Sequence, residues 1–113
     1  MSELLPSYQV LCHDDGYLQI ECHFSSDYPY FAGHFPALPI LAGVVQLGVV
    51  HGFVQQFWQQ DLTTATIRQI KFQKLIFSGS RVTLQLERRL ANKQLKFSYY
   101  LDQDVASSGI LLL

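Results

Sequence analysis

The sequence has 113 residues, of which 49% are hydrophobic and 15% are charged, and its formal net charge is −1. A chain of this size forms one domain, and its apolar content is too high for a disordered protein. The small net charge excludes a strong electrostatic field for nucleic acid or an anionic membrane. We therefore expect one globular domain over residues 1–113, which can bury more apolar surface by self-association.

The N-terminus and the cysteines indicate a cytoplasmic protein. Residues 1–6 lack a basic region followed by an apolar stretch, so we predict no signal peptide. Cys12 and Cys22 show neither a CxxC motif nor a metal-ligand spacing, and we interpret both as small buried residues in a reducing compartment. The four histidines show no metal-ligand spacing either, so we expect no metal site.

The first part of the chain has the pattern of a β-hairpin. Residues 8–12 and 17–24 alternate in character, and Asp14-Asp15-Gly16 between them is a turn signal. The second run places four apolar residues on one face, namely Leu18, Ile20, Cys22 and Phe24. His13 and His23 fall on or beside the polar face, and we expect them to face solvent.

The middle of the chain changes from an aromatic loop to a helix. Three prolines exclude a helix over residues 25–39, and a loop of this length in so small a domain is usually functional. Residues 42–59 predict a helix that is apolar on nearly every side in its first half and is therefore buried.

The second half of the chain returns to the pattern of strands, predicted near residues 64–75, 81–90, 94–102 and 106–113 as a meander of three or four strands. One buried helix is the only available cover for such a sheet. The sequence therefore predicts an α+β fold in which a curved antiparallel sheet wraps around one long central helix.

The loop and the start of the helix together suggest chemistry on a carbonyl compound. His34 lies between Gly33 and Phe35-Pro36, in a loop that prolines stiffen, and a general base must be held in position. Gly43 follows at the start of the helix, where backbone N–H groups lack internal partners. A thioester carbonyl could accept hydrogen bonds there, and His34, with an unperturbed pKa of about 6.5, could remove a proton from the adjacent carbon.

The same stretch resembles the signature of the bacterial 3-hydroxyacyl-ACP dehydratases, a G-H-F-P-x-x-P run that leads into P-G-V at the start of the central helix of a hot-dog fold. The matching residues are Gly33, His34, Phe35, Pro36, Pro39, Gly43 and Val44. Ile70-Lys71-Phe72, followed by Gly79 and Val82, is similar to the family's K-F stretch and the turn after it. The segment from Gly43 to Leu47 is also similar to the branch that serves aryl-polyene-type pigment pathways.

This resemblance implies a dehydratase that forms dimers or higher assemblies, as a homodimer or with an active homologue. The histidine loop of one subunit would face the helix of the other. The substrate would be an acyl group on the phosphopantetheine arm of acyl carrier protein or of coenzyme A, with no further cofactor. The residues expected to bind it are Phe31, Gly33, Phe35, Pro36, Pro39, Val44, Gln46 and Gly48.

The sequence departs from the family at the helix position where an acidic residue helps to expel the 3-hydroxyl group, because Gly48 stands there. Ala42 also replaces the second proline of the family's pattern. Three residues could compensate for the missing acid: His51 on the same helix as a catalytic group, Gln46 by orienting a water molecule, and Asp27 from the aromatic loop. Each is an open alternative at this point.

Two other functions fit the same scaffold. A hot-dog thioesterase would use a carboxylate to activate water, and a non-catalytic acyl-binding subunit would pair with an active homologue; Gly48 favours the second. The basic residues of the second half form either a rim that meets an acidic carrier protein or a scatter of solvated charges. They are Arg68, Lys71, Lys74, Arg81, Arg88 and Arg89.

Overall fold

A computed structural model of the protein describes residues 5–30 and 40–113. The described elements are six strands and one long helix, with a short 3-10 turn at Leu90–Asn92. In chain order they are β1 (Ser7–His13), β2 (Tyr17–Phe24), α1 (Gly43–Trp58), β3 (Thr66–Phe72), β4 (Ser80–Arg89), β5 (Gln94–Leu101) and β6 (Asp104–Leu112). The predicted elements are confirmed, and their ends shift by a few residues.

All six strands form one antiparallel sheet in the order β1-β2-β4-β5-β6-β3. The predicted meander consists of β4, β5 and β6. β3 follows the helix in sequence but lies at the far edge, where it pairs with β6 alone. The chain therefore crosses the whole sheet between β2 and β3, and α1 lies in this crossing.

The hairpin forms as predicted because Asp14 closes its turn. Its Oδ1 atom accepts hydrogen bonds from the backbone N–H groups of Gly16 at 2.9 Å and Tyr17 at 2.7 Å. β2 is then held between β1 and β4, and its four inward side chains, from Leu18 to Phe24, are fully buried. The alternation in the sequence thus predicts the buried face of the central strand correctly.

The helix packs one face against the sheet and ends at Gln59, a residue in the left-handed conformation with φ 49°. Val49, Val50 and Phe53 on the packed face are fully buried. Near the end of the helix, Trp58 Nε1 donates a hydrogen bond to the backbone oxygen of Asp14 at 3.0 Å. This bond joins the helix to the hairpin turn and fixes its distance from the sheet.

The outer face of α1 is less buried than the sequence predicts. Val44 is 76% exposed, although its neighbours in sequence are almost all apolar. Further apolar residues are exposed on β3 and the segment after it, and we call these the β3 patch: Ile67, Phe72, Leu75 and Phe77. No element among residues 5–30 and 40–113 covers this side, because β3 is the last strand of the sheet.

The two cysteines differ in their exposure to solvent. Cys22 is buried in β2 as predicted, whereas Cys12 is exposed, so the prediction of two buried thiols is wrong for Cys12. The reason is the position of β1 at the edge of the sheet, where every residue of the strand is exposed. In the described ranges no helix is both long and apolar enough to cross a membrane.

Candidate active site

The start of α1 presents backbone donors that find no acceptor among the described residues. Ala42 provides no side-chain cap, and the first turn contains no acidic residue. The N–H groups of Val45 and Gln46 both bond to the Ala42 oxygen at 3.0 Å. Those of Gly43 and Val44 find no acceptor among residues 5–30 and 40–113. Because these two groups lie at the positive end of the helix, they can donate to a ligand oxygen.

Gly43 at the start of the helix is in close contact with the ring of Phe72. A Cβ atom at this position would lie 2.6 Å from Cζ of Phe72, which is closer than real side chains approach. The Phe72 ring therefore occupies the space beside the Cα atom of Gly43. The ring itself is 54% exposed, so it borders the open donors without enclosing them.

The predicted base and most of its neighbours lie outside the described residues. They are Phe31, Gly33, His34, Phe35, Pro36 and Pro39. The chain is described again from Ile40, which forms an isolated antiparallel bridge with Phe77, and Leu41 N–H donates to the Ile76 oxygen at 2.8 Å. These contacts anchor the residues that lead into the helix beside the β3 patch. The roles of His34 and its loop remain predictions.

Gln46 joins the helix to the sheet, and its predicted role in binding substrate or orienting a water molecule stays a prediction. Its side chain is buried, and its Nε2 atom donates to the Leu41 oxygen at 3.0 Å. Its Oε1 atom accepts from Ser107 Oγ at 2.6 Å, and its backbone oxygen accepts from Tyr99 Oη at 2.7 Å. The Oε1 atom thus joins the helix to β6, the backbone oxygen joins it to β5, and Nε2 bonds to Leu41 just before the helix.

Gly48 and His51 line one cavity of about 270 Å³ between α1, the segment after it, β3 and β6. The other lining residues are Leu47, Leu62, Thr63, Ala65, Ile67 and Leu111. Nε2 of His51 lies 3.3 Å from Oδ1 of Asp61. Within the described part of the chain, this buried Nε2 atom forms no hydrogen bond. Gly48 and His51 thus line the same cavity, and the Asp61 carboxylate lies next to His51.

Asp61 is the residue that the sequence did not reveal. Its Oδ1 atom accepts from the backbone N–H of Thr63 at 3.0 Å, and its Oδ2 atom accepts from Thr63 Oγ1 at 2.9 Å. These bonds, the backbone bond first, lower the pKa of Asp61, and the nearby His51 lowers it further. The only sequence signal is the Asp-x-Thr spacing just after the helix, which is typical of a local turn.

Of the other proposed residues, Val44 has an exposed side chain and Asp27 is hydrogen-bonded within its own turn. Val44 is exposed beside Gly43, and its role as a substrate contact stays a prediction. Asp27 is exposed in the turn after β2, where its carboxylate accepts a hydrogen bond from Ser25 Oγ. This bond ties Asp27 to its own turn, and no contact in the described part of the chain joins it to the helix.

Most of the predicted basic rim is engaged in local contacts. Lys74 pairs with Asp104 at 2.7 Å, and Arg81 and Arg89 lie near Glu21 and Glu87. Arg88 stacks over the Trp58 ring, with its Cζ atom 4.6 Å from the ring centroid, and donates to the Asp15 oxygen. Arg68 and Lys71 on β3 form no ion pair with a described residue.

Comparisons with known proteins agree with this architecture. A chain of the dehydratase heterocomplex ApeI:P from Xenorhabdus doucetiae is 26% identical, with a TM-score of 0.81 over 95% of this chain and 96% of that chain. An uncharacterized protein from Erwinia carotovora subsp. atroseptica is 30% identical, with a TM-score of 0.77 over 95% and 94% of the two chains.

A more distant likeness is to the dehydratase domain of a mycocerosic acid synthase-like polyketide synthase, with 15% identity and a TM-score of 0.68 over 97% of this chain and 39% of that chain. These structural neighbours confirm the predicted hot-dog fold. No curated protein sequence matches the chain. The family described as ApeI-like, the ApeI dehydratases, matches residues 11–110, which is most of the length. The chain therefore belongs to the ApeI-like dehydratase family.

Proposed function

We propose that the protein removes water from 3-hydroxyacyl thioesters and produces trans-2-enoyl thioesters. The observation that supports this most is the uncapped start of α1, whose Gly43 and Val44 N–H groups have no described acceptor, directly after the predicted histidine loop. Membership of a dehydratase family gives the reaction class. The acyl group would be attached to the phosphopantetheine arm of acyl carrier protein or coenzyme A, in fatty acid or polyene biosynthesis in the cytoplasm.

In this mechanism the thioester oxygen accepts hydrogen bonds from the Gly43 and Val44 N–H groups. Negative charge that develops on this oxygen is then stabilised by fixed donors and the positive end of the helix. The proton at C2 becomes more acidic, and His34 removes it. The exposed ring of Phe72, packed on Gly43, forms one wall of the approach to these donors.

The direct test uses 3-hydroxybutyryl and crotonyl thioesters of a carrier protein and of pantetheine. We expect hydration of the crotonyl thioester, seen as loss of the enoyl absorbance, and loss of at least about 100-fold in rate for His34→Ala. His23→Ala is the matched control, because His23 lies on β2 away from α1. A folded protein that binds the thioester but neither hydrates nor dehydrates it would refute the proposal. Release of free thiol would instead indicate a thioesterase.

A second candidate is a subunit that completes its site only with a homologous partner. Two observations favour it: Gly48 stands where the resemblance predicts an acid, and the β3 patch is uncovered in the single chain. The similar chain from Xenorhabdus doucetiae comes from a heterocomplex. Under this proposal the protein alone binds acyl thioesters without turnover, and His34→Ala leaves that binding unchanged. Addition of an active dehydratase homologue would restore turnover.

A further inference from the structure

The cavity beside Gly48 combines apolar walls with a single imidazole. Leu47, Leu62, Ala65, Ile67 and Leu111 form the apolar part of its lining, and His51 and Thr63 add the polar groups. Gly48 and His51 are three residues apart on α1 and so share one face of the helix. Helical side chains lean toward the N-terminus, so the imidazole leans toward the space that Gly48 leaves empty.

Asp61 lies beside this imidazole. Thr63 donates to both oxygens of the carboxylate, which fixes its orientation and keeps it ionised. His51 Nε2, at 3.3 Å from Asp61 Oδ1, is the ring nitrogen that is buried. No other titratable side chain of the described residues lines the cavity. A carboxylate next to an imidazole orients the ring, as it does in other acid–base sites.

We infer that His51, positioned by Asp61, is the proton donor that replaces the missing acid at residue 48, and that the cavity receives the 3-hydroxyl group of the substrate; this inference rests on the proposed dehydration. In the step, His34 takes the C2 proton, and the electron pair of that bond forms the C2–C3 double bond. The C3–O bond breaks toward oxygen, which takes a proton from the His51 imidazolium and leaves as water. Solvent then returns a proton from His34 to His51.

Two variants distinguish the role of His51 as proton donor from the role of His34 as base. In D₂O, His51→Gln should retain exchange of the C2 hydrogen, which needs only the base, but lose at least about 100-fold in water elimination. His34→Ala should lose both the exchange of the C2 hydrogen and the elimination of water. Asp61→Asn should lower kcat by about tenfold with KM unchanged, because Asp61 touches no substrate. Asp61 is 67% exposed, so this variant keeps its fold, and His23→Gln is the matched control.

A binding measurement tests whether the 3-hydroxyl group contacts His51, even if the protein does not turn the substrate over. The probes are two amide analogues of an acyl-pantetheine thioester, one with and one without the 3-hydroxyl group, observed by NMR of ring-labelled histidines. We expect the hydroxylated analogue to shift the His51 signals and the deoxy analogue to leave them nearly unchanged. If both analogues bind and shift His34 but not His51, the inference fails while the proposed function stands. If neither binds, both fail.

Discussion

The Phe72 ring at the end of β3 and the Gly43 backbone at the start of α1 are packed so closely that a side chain at residue 43 would displace the ring. A Cβ atom there would lie 2.6, 3.0 and 3.3 Å from three atoms of the ring. One contact thus joins the edge strand to the helix start that we propose as the carbonyl site. It also places an exposed aromatic ring at the border of that site.

This contact predicts a non-additive pair of substitutions. Gly43→Ala alone should lower the free energy of unfolding by about 1 kcal/mol, because the new methyl group displaces the Phe72 ring. In the Phe72→Ala background, Gly43→Ala should leave the free energy of unfolding unchanged or raise it, since alanine is more favourable than glycine in a helix. Chemical denaturation of the four proteins measures the coupling. Equal effects of Gly43→Ala in both backgrounds would show that the ring does not constrain residue 43.

Gln46 should prove important for stability. Gln46→Ala removes the partners of Ser107 Oγ and the Leu41 oxygen inside the core, and we expect a loss of about 3 kcal/mol in the free energy of unfolding. Gln55→Ala, at an exposed position of the same helix, should change it by less than about 0.5 kcal/mol. A stable Gln46→Ala protein with altered thioester affinity would instead support the predicted substrate-binding role.

The two thiols should react at very different rates. Burial, with a smaller contribution from Glu21, raises the pKa of Cys22 to about 12, whereas Cys12 is exposed on β1. At pH 8 an aromatic disulfide reagent should modify one thiol per folded chain quickly and two in denaturant. Cys12→Ser should remove the fast phase and Cys22→Ser should keep it. Fast modification of Cys22 in the folded protein would contradict its burial.

The same shift has a consequence for alkaline stability. An unfolded cysteine ionises near about pH 8.5, but Cys22 in the folded chain resists ionisation up to about pH 12. The unfolded state therefore loses its proton first, and the stability contributed by the neutral thiol is complete below about pH 8.5 and declines as the pH rises toward 12. In Cys22→Ala the alkaline decline in denaturation midpoint should be weaker. An identical decline in both proteins would exclude this cause.

The β3 patch should be the side on which a second chain binds. Ile67 is 51% exposed on β3, and Leu11 is 49% exposed on β1 at the opposite edge of the sheet, so the two make a matched pair. Ile67→Lys should convert the assembly into monomers in light-scattering measurements, because a lysine on an apolar contact is costly to desolvate. Leu11→Lys should leave the assembly intact. An intact assembly with Ile67→Lys and monomers with Leu11→Lys would place the interface at β1 instead.

Much of the fold follows from the sequence because its signals are local. The alternation of Leu18, Ile20, Cys22 and Phe24 predicts both the strand β2 and its buried face. The apolar stretch after the prolines predicts a helix, and Asp14-Asp15-Gly16 predicts the hairpin turn. The G-H-F-P stretch predicts a family, which the match over residues 11–110 confirms. Each of these signals lies within a few residues of the feature that it predicts.

Only the tertiary structure decides which distant residues meet. It buries Gln46 against Ser107, packs Phe72 on Gly43, brings Asp61 to His51 and exposes Cys12 on an edge strand. No local period encodes these contacts, because they depend on where β3 and the segment after α1 come to lie once the chain has crossed the sheet. The elements are thus determined by the sequence near them, and the site is determined by the packing between them.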